Sequence, residues 1–455
     1  MFSNFTWLFS SKLINNILQV LFTIASARLL TPNEFGVYSV IIITVNISMI
    51  FIELGCIQAI VQNAEITPNN LAWTNLFTIG LSIFISLSIL IYLQLSKNAN
   101  KDIYSLSCLI LIFYAVGITS QASLIKAGKF REISVIDSTS YFISFILIGG
   151  GLLLLNTGIL SIIIAQLIDT SIKSILYIKI DNQKKYFSRR PIFNEKIFKF
   201  GLKFSLIRIV NQFTLKGGQI LLSLTAPKAE LGLYNRAEAL SFIPVSLLGH
   251  TLNTVLFSYL SNNKNSPDAH KLVANKSLEI IISLIIPGTV FLILYTKTII
   301  LILFGSNWIQ MTLVFQILIA SLPFRILSKI NESQLTSLGL LRKFFKLQVM
   351  YLLLNTVTIL LGFFYLGATG VALGTTISTV IYSIFLAYKN TQILENLQAI
   401  ISAIWISIFS ILIISMSKYS MSNNLISIQI LTIIALIFIQ LKYHRKYLKN
   451  DHNKK

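Results

Sequence analysis

The sequence predicts an all-α integral membrane protein of about 14 transmembrane helices, in two pseudo-symmetric six-helix lobes followed by two C-terminal helices. Three observations predict it. Hydrophobic residues make up 55% of the 455-residue chain and charged residues only 12%; a soluble domain carries about 25% charged residues, so most of this surface faces lipid rather than water. Apolar runs long enough to cross a membrane recur between short polar breaks. One short loop is written twice, about half a chain apart.

A spanning helix needs about 20 mostly apolar residues. Such runs lie near 10–30, 36–60, 72–95, 103–124, 136–156, 158–179, 202–224, 236–258, 277–297, 311–334, 346–366, 367–389, 397–416 and 423–442. The breaks between them are short, as at Asn156-Thr157-Gly158 and Gly367-Ala368-Thr369-Gly370. A trailing stretch, Leu301–Gly305, follows the ninth run and leaves the count open by one. Charge tests the count. With the N-terminus in the cytoplasm, segments predicted inside hold about 25 of the 37 Lys and Arg residues. They are Lys126, Lys129 and Arg131, a dense cluster from Lys179 to Lys203, Lys264, Lys271 and Lys276, Arg342, Lys343 and Lys346, and the tail after Leu441. The opposite loops hold about five: Lys97, Lys101, Lys228, Arg236 and Lys418. Both termini are therefore expected in the cytoplasm. The net charge of +21 then sits at the membrane edges, where topology and contact with anionic membrane lipids account for it and no nucleic-acid partner is needed.

Enzyme chemistry has no foothold in the sequence. Cys56 and Cys108 fall inside apolar runs and read as small buried hydrophobes. There is no CxxC pair or metal-ligand spacing, and the histidines are scattered, with His444 and His452 in the basic tail. Neither HExxH nor GxxxxGK[ST] occurs, so no cofactor, no catalytic residue and no ATP-driven pump within this chain are expected. The first apolar run carries Lys12, Asn15, Asn16, Gln19 and Arg28, too polar for a cleavable signal peptide.

The doubled loop is LLTPNEFGVY at Leu29–Tyr38 and TAPKAELGLY at Thr225–Tyr234. The first joins spans one and two and the second joins spans seven and eight, so an even number of spans separates them and both fall on the outer side. Two further echoes occur in the same order. Thr157-Gly158 opens span six and Thr369-Gly370 opens span twelve; AGKFRE at Ala127–Glu132 matches LGLLRK at Leu338–Lys343. Three echoes in register imply a duplication with its axis along the membrane normal. The expected organisation is a lobe at 1–180, a basic cytoplasmic linker at 181–201, a second lobe at 202–390, and two extra spans with a basic tail at 391–455. Within the motif, Pro fixes φ and ends one helix, while Glu and Gly shape the start of the next. Glu34 and Glu230 are read as helix N-terminal charges rather than substrate ligands.

ARLLTPNEFGVYSV at Ala27–Val40, followed by FIELGCIQAIVQ at Phe51–Gln62, resembles the opening of the polysaccharide transporter family. These are Wzx-type oligosaccharide flippases of the multidrug/oligosaccharidyl-lipid/polysaccharide superfamily. The family form is close to L-x-P-x-x-F-G-x-Y followed by [DE]-L-G, which Glu53-Leu54-Gly55 fits; APKAELGLYNRAEAL at Ala226–Leu240 is similar to the second-half copy. The resemblance implies two six-helix lobes around a central cavity. It implies a polyprenyl-diphosphate-linked oligosaccharide as substrate, moved from the cytoplasmic to the outer leaflet of a bacterial inner membrane for O-antigen, capsule or exopolysaccharide. Polysaccharide polymerase and assembly proteins would be further partners. One departure stands out. Many members of the family carry a basic residue followed closely by Asp in span seven, whereas here the stretch is Thr214-Leu215-Lys216-Gly217-Gly218-Gln219.

Charges inside the spans give an independent argument. A charge at the bilayer centre costs about 2.5–3.5 kcal/mol on insertion scales, so each needs a partner or a wet cavity. Span seven carries Arg208 and Lys216; span ten carries Arg325, Lys329 and Glu332 on one face; span two carries Glu53, span six Asp169 and Lys173, and span eight Glu238. Spans one and seven are unusually polar, with Asn15 and Gln19 against Asn211 and Gln212. The functional reading is a cationic cavity in which Lys and Arg take phosphate oxygens and Asn and Gln meet sugar hydroxyls. Its candidates are Lys216, Arg325, Lys329, Glu332, Arg208, Glu53, Asn15, Gln19, Asn211 and Gln212. The alternative reading is structural. Lys329 and Glu332 would pair to fix packing, and Arg208 would snorkel to the inner surface. Competing functions are a MATE-type cation-coupled drug antiporter, a lipid II flippase, and a membrane glycan polymerase. Basic residues outnumber acids on spans seven and ten, against the antiporter; the large outer loop usual in polymerases is absent from the sequence.

Overall fold

The computed structural model describes residues 2–62, 66–95, 101–181, 190–262, 281–337 and 340–389. The expected spans at 397–416 and 423–442, the basic tail, most of the linker, and Lys264, Lys271 and Lys276 lie outside the described residues. Among the described residues the chain is all helix, with no strand. In chain order the helices are α1 (Phe2–Leu29), α2 (Pro32–Glu53), α3 (Cys56–Gln62), α4 (Pro68–Leu95), α5 (Lys101–Lys126), α6 (Phe130–Leu154), α7 (Leu160–Asp181), α8 (Glu195–Thr225) and α9 (Lys228–Asn262). Next come α10 (Ile286–Leu294), α11 (Thr296–Leu303), α12 (Thr312–Ala320), α13 (Leu322–Ser337) and α14 (Leu341–Lys389).

Seven helical stretches among the described residues are long and apolar enough to cross a membrane, eight if the bent pair α10–α11 counts as one span. α1, α8 and α9 are continuous helices where spans were expected, but they are outside that set. α8 shows why: it carries Lys199, Lys203, Arg208 and Lys216, charges that depress hydropathy without interrupting a helix. The short stretch after the ninth run is also explained. α10 and α11 are bent by 71° at Tyr295, so Leu301–Leu303 continues a broken helix.

The chain divides into two compact units, Met1–Asn235 with Leu303–Asn307, and Arg236–Ile302 with Trp308–Lys455. In the first, Arg28 Nε donates to the Leu303 carbonyl at 3.2 Å. Its core is built by α2, α5 and α7 through Ile41, Val45, Ile52, Ile110, Leu111, Ala115 and Ile163. α5 and α7 lie very close because Gly117 has no side chain. A Cβ there would stand 2.5 Å from Ser174 Oγ and 3.1 Å from its Cα, and Ser174 Oγ donates to the Phe113 carbonyl at 2.6 Å. Lipid tails are as apolar as Leu, so such close packing and interhelical hydrogen bonds hold helices together where the hydrophobic effect does not. α6 contains a π-helical segment, Phe142–Gly149, and stops at the expected break, with Asn156 (φ 57°) and Gly158 (φ 65°) in the left-handed region.

In the second unit α14 is a hairpin. Its backbone reverses at Gly367 (φ 58°, ψ −137°), inside the expected break between spans eleven and twelve. The arms pair at Gly362 with Gly370, Thr358 Oγ1 with the Gly374 carbonyl (2.9 Å), Asn355 with Ser378 (2.8 Å) and Tyr351 stacked on Tyr382 at 4.1 Å. Within each unit one helix exposes a row of large apolar side chains, Phe84, Leu87 and Ile91 on α4 and Leu353, Val357, Leu361 and Phe364 on α14. Such rows fit a chain whose solvent is lipid.

Candidate functional site

The doubled motif builds two helix starts that touch each other. In the first copy Thr31 is the N-cap of α2 and Pro32 occupies its first turn. Glu34 Oε2 accepts from the Thr31 amide and hydroxyl, both at 2.8 Å, and the Glu34 amide donates to Thr31 Oγ1 at 3.4 Å. This capping box satisfies backbone donors that would otherwise be orphaned, and it gives Glu34 the helix N-terminal role expected of it. The second copy starts α9, with the Leu231 amide bonded to the Pro227 carbonyl at 3.1 Å, as Phe35 bonds to Thr31 at 3.1 Å.

The glycines explain the repetition. A Cβ on Gly36 would overlap the Lys228 carbonyl, and a Cβ on Gly232 would overlap the Pro32 carbonyl and stand 2.9 Å from the Gly36 amide nitrogen. The contact is reciprocal: each motif glycine receives the carbonyl four residues before the other copy's glycine. Only glycine permits two helix backbones to approach this closely. Phe35, Leu231 and Tyr234 are fully buried around it. The second echo joins in, since a Cβ on Gly158 would lie 3.1 Å from Glu34 Oε1.

The other end of α2 is held in a related way. Leu54 (φ 39°) and Gly55 (φ 67°) end the helix in left-handed conformation. A Cβ on Gly55 would overlap the Gly201 carbonyl of α8, and one on Gly201 would stand 2.6 Å from the Leu54 carbonyl. Beside this contact Glu53, 1% exposed, forms an ion pair with Arg208 of α8 and accepts a hydrogen bond from Tyr114 of α5 at 3.0 Å. Two residues that the sequence offered as separate cavity candidates are therefore one ion pair, with Glu53 buried and Arg208 partly exposed, and with Tyr114 it links three helices. Arg208 turns to Glu53 rather than snorkelling. α2 is thus fixed to α9 at one end and to α8 at the other.

The remaining candidates fall into three groups. Lys329 and Glu332 pair at 2.8 Å, as their spacing predicts. Glu332 Oε1 also accepts from Gln348 Nε2 (2.9 Å) and the Tyr382 hydroxyl (3.2 Å), so this carboxylate ties α13 to the α14 hairpin. Arg325, one turn earlier and half-buried, has no carboxylate ion-pair partner among the described residues; its charge acts on Tyr351. On α8, Arg208, Gln212, Lys216 and the buried Gln219 share a face, with Asn211 beside them. On α1, Asn15 is half-buried and Gln19 exposed. Arg325, Lys329 and Glu332 belong to the second unit and the other seven candidates to the first. Tyr114, Gln348, Tyr382 and the Gly55–Gly201 contact carry much of this geometry without a motif to announce them. Gly55 alone had a signal, as the last residue of the Glu-Leu-Gly triplet.

Comparison with known proteins places this geometry in a family. A family model described as polysaccharide biosynthesis protein matches residues 26–313, well over half of the chain. A relative from Klebsiella pneumoniae, described as an uncharacterized membrane protein in the cps region, is 24% identical over 69% of this chain and 66% of its own length, just under two thirds. The lipopolysaccharide biosynthesis protein WzxC of Escherichia coli K12 is 23% identical over 76% of this chain and 72% of its own. Among solved structures, the lipid II flippase MurJ in an inward closed conformation superposes with a TM-score of 0.77 at 18% identity, covering 97% of this chain and 99% of that one. An inward-facing multidrug resistance MATE transporter of the MOP superfamily reaches 0.62 at 12% identity, covering 86% and 95%. At these identities the two structures show the fold alone, an all-helical architecture. The match over residues 26–313 shows that the chain belongs to the polysaccharide biosynthesis protein family.

Proposed function

We propose that the chain is a flippase for a polyprenyl-diphosphate-linked oligosaccharide repeat unit, carrying it from the cytoplasmic to the outer leaflet of the bacterial inner membrane. The observation that carries the proposal is the family match over residues 26–313, on a fold shared with a named flippase. In this reading the chain has 14 spans, with lobes at 1–180 and 202–390, a linker at 181–201 and both termini in the cytoplasm. The lobes rock, and access alternates. The reciprocal Gly36–Gly232 contact is the outer closure, and the Gly55–Gly201 contact with the Glu53–Arg208 pair is the inner one. Both are backbone-to-backbone contacts at helix ends, and opening either exposes the side chains buried beside it. Lys216 and Arg325 are the proposed diphosphate ligands, and Asn15, Gln19, Asn211 and Gln212 the proposed sugar contacts. Lys329 and Glu332, engaged in packing, contribute less directly. The prenyl tail stays in lipid while the head group crosses.

The test is a deletion strain from which polyprenyl-diphosphate-linked glycans are extracted. A finished repeat unit should accumulate in the inner leaflet while the surface polymer disappears, and restoring the gene should reverse both. Normal surface glycan without accumulation, in a strain with no redundant flippase, rejects the reading in favour of an antiporter. The MurJ fold favours one second reading, a flippase for lipid II; accumulation of the cell-wall precursor instead of a polysaccharide unit would select it.

A further inference from the structure

α7 carries a polar side chain at every fourth position from its middle to its C-terminal end: Asp169, Lys173, Tyr177 and Asp181. Each four-residue step climbs about 6 Å and turns about 40°, so the four form a ladder. Every rung involves a carboxylate. Asp181 Oδ1 accepts from Ser123 of α5 at 2.7 Å, the Tyr177 hydroxyl donates to Asp137 Oδ1 of α6 at 2.6 Å, and Lys173 Nζ meets Asp169 Oδ2 at 2.7 Å. The ladder ends at Asp169, which is 5% exposed and whose second oxygen, Oδ1, has no hydrogen-bond partner. Buried hydroxyls without partners stand on the helices packed against α7: Thr119 and Ser120 on α5, Ser140 and Ser144 on α6.

A structural ion pair does not need this arrangement. Ionisable groups inside a span mark ion or proton pathways by default, because packing alone is made more cheaply by apolar residues. The groups acting on Asp169 are Lys173 and Tyr177 on its own helix and Asp137 and Tyr141 on α6. On α5, Tyr104 interacts with Tyr92 and Tyr114 with Glu53 instead. The ligand chemistry is that of a proton rather than a metal ion. The Lys173 ammonium already occupies the cation position at Oδ2, and no group of three His, Cys, Asp or Glu residues among the described residues could hold a metal.

We propose that Asp169, set between Lys173 and Asp137 with a free buried oxygen, is a proton-binding site that couples substrate movement to a proton gradient. The Tyr177–Asp137 and Asp181–Ser123 rungs lead to it from the C-terminal end of α7. A proton adds to Oδ1, the carboxylate becomes a neutral carboxyl, and the ion pair to Lys173 is released; the site gains one positive charge. The Lys173 side chain, 27% exposed, has room to swing away. α7 is the partner of α5 across the Gly117 contact and of α6 across Gly149 and Ala165, so release of the pair loosens a tightly packed element. The coupling role rests on the transport reading; the protonation does not.

Two measurements separate them. Infrared difference spectra of the purified full chain in lipid vesicles, stepped between about pH 8 and 5, should show a carboxylic-acid carbonyl band that grows on acidification and is missing in Asp169→Asn. In cells, surface glycan export by the parent chain should fall when the pH gradient is collapsed at constant membrane potential, while Asp169→Asn exports at least ~10-fold less and is indifferent to the gradient. An identical band in Asp169→Asn, or an unchanged response of its export to the gradient, overturns the proposal. Should Asp169→Asn fail to insert, Lys173→Gln keeps the carboxyl and removes its cation: the band must persist with a moved midpoint, and an unmoved midpoint overturns the proposal as well. The band needs no glycan, so its presence or absence is independent of whether the chain exports one.

Discussion

Glu53 with Arg208 and Lys329 with Glu332 are two acid–base pairs inside the helices of this protein; the sequence announced the second by its spacing and offered the members of the first separately. The structure gives them different surroundings. Lys329 and Glu332 are neighbours on α13, and Glu332 spends its second oxygen on Gln348 and Tyr382 of the α14 hairpin. That pair holds adjacent elements of one unit in a fixed arrangement. Glu53 and Arg208 come from distant parts of the chain, with Tyr114 as a third partner, beside a glycine contact that stops α2 against α8. In the proposed mechanism this is a link that forms and parts. Charge inside a span therefore does not identify function; what the charge connects does.

Arg208→Gln should have the deepest effect on the first pair. It leaves Glu53 buried and without its cation. Removing one partner of a fully buried pair costs about 3–5 kcal/mol; the Arg208 side chain is partly exposed, so solvent screening holds the loss below that range, and detergent-solubilised protein should still melt earlier and export should be lost. The double variant Glu53→Gln with Arg208→Gln should recover most of the melting temperature without recovering export. Recovery of export by the double variant would make the pair a packing device like Lys329–Glu332. Glu332→Gln is the counterpart. It weakens hydrogen bonds to a charged group worth about 1.5–3 kcal/mol each, and should lower thermal stability while export continues in proportion to the protein that inserts.

How much of this was legible in the sequence depended on distance along the chain. The breaks at Asn156–Gly158 and Gly367–Gly370, the N-terminal role of Glu34 and the Lys329–Glu332 pair all follow from local rules: turn chemistry, capping and i,i+3 spacing. The Glu53–Arg208 pair, the Glu332 network and the Gly55–Gly201 contact join residues far apart, and a single sequence carries no signal for who meets whom. The polar character of α8 was visible, but not that Arg208 faces an acid while Lys216 and Gln219 continue the same face. The doubled motif lay between these cases. Its repetition announced importance, yet each copy by itself looked like an ordinary helix start, because the meaning lies in their contact.

That contact yields the next prediction. Ala at Gly36 or Gly232 must push a backbone carbonyl away, and overpacking of this kind costs about 1–3 kcal/mol, roughly 5–150-fold in the population of the closed state. Both variants should reduce glycan export by a comparable factor, whereas Gly80→Ala, which meets open space on α4, should not. Unequal effects would mean that the two copies are not mechanically equivalent. The proposed phosphate ligands are tested by replacing Lys216 and Arg325 together by Gln, which should abolish export while the protein still inserts; unchanged export would remove the cationic path.

The smallest expected effect separates what the two motif copies share from what they do not. Thr31 gives the first copy a complete capping box; at the equivalent place the second copy has Pro227, which has no hydroxyl to offer. The glycines are common to both. If helix capping were the reason for the repetition, the second copy would be a degraded version and Thr31 would matter most. If the reciprocal backbone contact is the reason, the cap is a local stabiliser of α2 alone. Thr31→Ala should then cost about 1 kcal/mol of stability, seen as a small drop in melting temperature, with export close to that of the parent. An export loss as deep as that of Gly36→Ala would locate the function of the motif in the geometry of the α2 start rather than in its meeting with α9.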